Sequence, residues 1–101
     1  MTVNEYAAWR RDKTPHFLLD VRQPEEFATA RIEGACLIPL PELPGRLAEL
    51  PKDRPLVVLC HHGMRSAHAV RHLREAGFDA LNLTGGIDAW SRQIDPDVPN
   101  Y

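Results

Sequence analysis

Short apolar runs alternate along the chain with stretches in which apolar residues recur at helical spacing. Thr2-Val3-Asn4-Glu5 has the form of a capping box, with a hydroxyl for an early amide and a glutamate three residues on to return the bond. Tyr6, Ala7, Ala8 and Trp9 then give an amphipathic stripe that predicts a helix ending near Lys13, stopped by Thr14-Pro15. Phe17-Leu18-Leu19 reads as a strand buried on both faces, and polarity returns abruptly at Asp20-Val21-Arg22. Pro24 to Ala28 predicts a helical turn, with proline and acids at its start. Cys36-Leu37-Ile38 is a second short strand, closed by Pro39. Leu43, Leu47 and Leu50 follow at helical spacing, among prolines. Leu56-Val57-Val58-Leu59 is the strongest strand, being wholly apolar and partly β-branched. A helix is expected from Ser66 to Ala76, with Ala69, Val70 and Leu73 on one side and Gly77 as its stop. Ala80 to Leu83 is a further strand, and Gly85-Gly86 precedes a short helix carrying Trp90. The tail from Asp95 to Tyr101 is too rich in proline for regular structure. Strands alternating with helices imply an α/β fold around a mainly parallel sheet, whose sites lie beyond the carboxyl ends of the strands. Asp20 and Cys60 both stand at such ends.

Composition changes this picture little. The 101 residues fit one domain spanning 1–101, 44% are apolar and 26% charged, and the net charge is −2. This balance gives no reason to expect nucleic acid or a membrane surface as partner. No apolar run approaches the roughly 20 residues a bilayer requires. The start of the chain lacks a basic segment followed by an apolar one, so the cytoplasm is the expected location. Cys36 and Cys60 are expected to remain thiols there. Packing within a strand is the expected role of Cys36.

The chemistry concentrates in Leu59-Cys60-His61-His62-Gly63-Met64-Arg65-Ser66. A cysteine after a buried strand, followed by a short loop and a helix, is placed where loop amides and the positive helix end converge. Gly63 lets the loop curl, and Ser66 is suited to cap the helix or donate to the sulfur. Such surroundings favour thiolate over thiol and would also hold a persulfide anion or an oxyanion.

This loop resembles the active-site loop of single-domain rhodaneses. The chain is also similar to that family at Leu19-Asp20-Val21-Arg22-Gln23-Pro24-Glu25-Glu26-Phe27, at Arg31 to Ala35 with Ile38-Pro39-Leu40, and at Leu83 to Trp90. The resemblance implies a five-stranded, mainly parallel sheet with helices on both faces. It also implies two-step sulfur transfer: Cys60 takes the outer sulfur of thiosulfate or a persulfide and passes it to cyanide or a thiol. A protein persulfide is a further partner consistent with it. It implies no metal and no organic cofactor, assigns His61, His62, Gly63, Met64, Arg65 and Ser66 to substrate binding, and gives Asp20 and Arg22 a supporting role. Where some thiosulfate-using members have basic residues after the cysteine, this chain has His61 and His62.

Three other readings fit these residues less well. Cysteine-dependent phosphatases and arsenate reductases place five residues between cysteine and arginine, whereas Arg65 arrives one position early here. A non-catalytic interaction module would not need Cys60. His68 and His72, at i and i+4, read as exposed helical histidines rather than metal ligands.

Overall fold

The computed structural model describes residues 1–101 and holds four parallel strands in the order β2-β1-β3-β4. They are β1 (Phe17–Asp20), β2 (Cys36–Leu37), β3 (Leu56–Leu59) and β4 (Ala80–Asn82), crossed by α1 (Val3–Arg11), α2 (Pro24–Thr29), α3 (Met64–Glu75) and α4 (Gly86–Gln93). Two 3-10 turns, Leu40–Gly45 and Leu47–Glu49, connect β2 to β3, because Pro41 and Pro44 deny that stretch a continuous helical ladder. The capping box of α1 forms as expected, with Glu5 N–H donating to the Thr2 hydroxyl and Thr2 N–H to Glu5 Oε1.

Strand periodicity sorts the core into two layers. Leu19, Leu56 and Val58 face one side, where Ala69, Val70 and Leu73 of α3 cover them. Leu18, Val57 and Leu59 face the other, under Val3 and Tyr6 of α1 and Ile87 and Trp90 of α4. The expected α/β sheet with helices on both faces is therefore present, and Trp90 is a buried anchor while Trp9 is half-buried at the edge of the same layer.

The strand count differs from the five the resemblance implied. Beyond β4, Met1 N donates to the Asn82 carbonyl and Thr84 N donates to the Met1 carbonyl. The place of a fifth strand is thus held by one residue, since α1 begins at Val3 and leaves no extended backbone to pair. Cys36 also departs from expectation: it is exposed, not packed. β2 is only two residues long, and at this edge position the Cys36 side chain has no covering element.

The sheet sets the position of the site. From β1 the chain crosses to β2 on one side and later to β3 on the other, so the strand order reverses between β1 and β3. A crevice forms at such a switch point, outside the carboxyl ends of the two strands. Asp20 ends β1 and Cys60 follows β3, in neighbouring strands with Asp20 paired to Leu59.

Candidate functional site

Cys60 is 1% exposed and lies at the floor of the loop. Its sulfur accepts a hydrogen bond from Gly63 N–H at 3.1 Å, and the Ser66 hydroxyl stands 3.4 Å away. Gly63 has φ +105°, a conformation that brings its amide back onto the sulfur and that a side chain would resist. The helix starts at Met64, with Gly63 at the N-cap, so Ser66 lies inside the first turn of α3 and does not cap it. Its hydroxyl instead has two acceptors for one proton, the Cys60 sulfur and Asn82 Oδ1. Asn82 completes the frame by donating from Nδ2 to the Gly63 carbonyl at 3.1 Å.

The opposite wall is α4. Ile87 N–H donates to the Cys60 carbonyl at 2.9 Å and Asp88 N–H to the His61 carbonyl at 3.0 Å. This close approach explains Gly86: it has φ +61°, and a Cβ there would collide with the carbonyls of Cys60 and His61. The first amides of α4 are therefore spent on holding the loop, while the Gly63 amide at the N-cap of α3 faces the sulfur.

Asp20 and Arg22 make no hydrogen bond to the sulfur, whose partners are Gly63 and Ser66; they pair with each other at the end of β1.

 Both side chains are fully buried and form a bidentate ion pair, with Arg22 Nε 2.9 and 3.0 Å from the two Asp20 oxygens and Nη2 2.6 Å from Oδ2. The remaining guanidinium protons go to the carbonyls of Ala30 and Glu26 and to the Tyr101 hydroxyl, so every donor of this arginine is used. Arg22 thereby ties β1, α2 and the end of the chain together.

Arg65 points to α2. Its two Nη atoms lie 2.7 and 2.9 Å from the Glu26 oxygens, a fork-to-fork pair that joins the start of α3 to α2. These bonds, with help from Gln23 N–H and the Tyr101 hydroxyl and against partial burial, hold the Glu26 carboxyl down at about 2. Glu26 is accordingly ionised throughout the neutral range.

Three residues of the site escape a reading of the sequence. Glu26 looks like an ordinary first-turn acid, and Asn82 like an outward strand residue. Tyr101 lies in a tail without regular structure, yet Val98 is buried and its carbonyl accepts from the Ser91 hydroxyl, which pins the tail to α4. The Tyr101 hydroxyl donates to Glu26 Oε2 and accepts from Arg22, and its ring stacks on His61 at 4.1 Å and 8°. On its other face His61 stacks on His62 at 4.0 Å. His62 is exposed and lies 3.9 Å from Asp88, and the ligand atoms of His61, His62 and Asp88 come within 4.8 Å of one another, a grouping that excludes Cys60. Met64 stands out at the rim, 83% exposed. His68 and His72 sit away from the sulfur, beside Leu40, Pro41, Leu43 and Pro44.

Residues 2–93 match the family model of the Rhodanese-like domain. A protein named Sulfurtransferase from Allochromatium vinosum is 43% identical over 82 residues, covering 80% of this chain and 77% of that protein. Adenylyltransferase and sulfurtransferase MOCS3-1 of Zea mays is 42% identical over 109 residues, covering all of this chain but 23% of the relative, so the chain spans about a quarter of that protein's length. Among solved structures, a Rhodanese-like Domain Protein from Staphylococcus aureus superposes with a TM-score of 0.87 at 33% identity, covering 100% of this chain and 96% of the other. No helix of this chain is long and apolar enough to cross a membrane.

Proposed function

Because the chain belongs to the rhodanese-like domain family, we propose that it is a sulfurtransferase in which Cys60 carries the transferred sulfur as a persulfide. The observation that carries this reading is the buried Cys60 sulfur, which faces Gly63 N–H and the Ser66 hydroxyl at the start of α3. An anionic sulfur at this point meets fixed dipoles in place of water, and the preorganised donors need not rearrange as charge moves onto it. The Cys60 thiolate attacks the outer sulfur of a donor, forming a sulfur–sulfur bond as the donor's own breaks. With thiosulfate the leaving group is sulfite; with an organic persulfide it is the thiolate. Cyanide or a thiol then takes the outer sulfur and returns Cys60 to the thiolate. Two displacements replace one direct transfer between anions.

His61, His62, Gly63, Met64, Arg65 and Ser66 form the wall the donor meets, and Asp20 and Arg22 support it from below. The phosphatase reading requires an arginine free to hold a phosphoryl group. Arg65 comes one position early for that loop and is engaged by Glu26. An interaction module is served as well by a cysteine without donors, which is not the surrounding of Cys60.

Intact-mass spectrometry after incubation with thiosulfate or an organic persulfide tests the proposal. The expected result is a gain of one sulfur atom, mapped to Cys60 by digestion and removed by cyanide with release of thiocyanate. No gain with any donor would overturn it in favour of the interaction module.

A further inference from the structure

Arg22, Arg65 and Arg92, the arginines that contact residues of the site, are each paired with a carboxylate. Arg65 lies in the first turn of α3, directly after the loop, and both of its Nη atoms are taken by Glu26. Arg22 is buried against Asp20, with its other donors on backbone carbonyls and Tyr101. Arg92, on the α4 side, is paired with Asp88. Tyr101 fixes the arrangement by donating to the same Glu26 oxygen that Arg65 Nη2 contacts. A dianion entering here gains amide dipoles but no free fixed charge, and it meets Glu26, itself anionic. Like-charge juxtaposition discriminates against such a partner, whereas a donor of low charge is not penalised.

We propose that Glu26 is a specificity-determining residue: by neutralising Arg65 it turns the site away from dianionic thiosulfate and toward organic persulfides of low charge. This inference rests on the sulfurtransferase reading above. Glu26 acts through Arg65 and has no part in breaking or making the sulfur–sulfur bond. Both donors undergo the same displacement at Cys60, and only the charge of the leaving group differs.

The experiment compares thiosulfate with the persulfide of 2-mercaptoethanol as donors to wild type, Glu26→Gln, Glu26→Asp and the double variant Glu26→Gln/Arg65→Gln, with cyanide as acceptor. In Glu26→Gln the guanidinium is released, and the thiosulfate-to-persulfide ratio of kcat/KM is expected to rise about tenfold, the size of one charge-assisted contact. The rise should lie in the KM for thiosulfate, not in kcat, and should fade at high salt. Glu26→Asp keeps a carboxylate near Arg65 and should return the ratio toward wild type. The double variant should lose the gain, which separates a freed Arg65 from a general loosening of the mouth. An unchanged ratio in Glu26→Gln, or a gain that survives in the double variant, would overturn the inference. Wild type that takes sulfur from neither donor would instead overturn the underlying function.

Discussion

Cys60→Ser is expected to abolish sulfur transfer to any acceptor while leaving the fold in place. A serine hydroxyl is a far weaker nucleophile than a thiolate at neutral pH, and the alkoxide it would need is not generated by any neighbouring base in this site. The only other thiol, Cys36, lies at the exposed sheet edge, where no loop of amides surrounds it. Stability should change little, by about 1 kcal/mol or less, because the smaller hydroxyl still finds Gly63 N–H and Ser66 within reach. Thiocyanate release and intact mass measure the first effect, and thermal unfolding the second. Persistent transfer in this variant would place the carrier elsewhere.

The second large effect falls on stability. Arg22→Met should destabilise the protein by about 3–5 kcal/mol, the cost of leaving a buried charge without its partner. Asp20 is fully buried and would keep its carboxylate without the Arg22 guanidinium. The carbonyls of Ala30 and Glu26 and the Tyr101 hydroxyl would lose a donor at the same time. Replacing both partners, as Asp20→Leu/Arg22→Met, removes the stranded charge and should recover part of the loss, though not the carbonyl bonds. Urea unfolding of the single and double variants measures both. A single variant within 1 kcal/mol of wild type would contradict the pairing described.

Much of this architecture is written in local pattern. The apolar runs at Phe17 and Leu56 become strands because they are buried on both faces, and Thr2 and Glu5 close their capping box without help from distant residues. Cys60 and its loop are legible for the same reason: strand, turn and helix are consecutive. What escapes is what depends on meetings across the chain. Glu26 and Arg65 lie 39 residues apart, and nothing local marks them as partners. Tyr101 reaches Arg22 across 79 residues from a segment whose prolines correctly predict irregular backbone but not its destination. The start of α3 two residues before Ser66 has a local cause: Gly63, in a left-handed conformation, takes the N-cap position and moves Ser66 into the helix. Cys36 is misplaced by its apolar neighbours, because a run of apolar letters does not distinguish the centre of a sheet from its rim.

Both ends of the chain touch residues that frame the site. Met1 hydrogen-bonds Asn82, whose side chain holds the loop, and Tyr101 lies on His61. Anything fused at either end, whether an affinity tag or another domain, would therefore emerge beside the crevice. A short flexible tether there would present its cargo to Cys60 at an effective concentration of the order of millimolar. A tag so placed would compete with substrates for the entrance, and a tethered acceptor would be supplied with sulfur without needing to bind tightly.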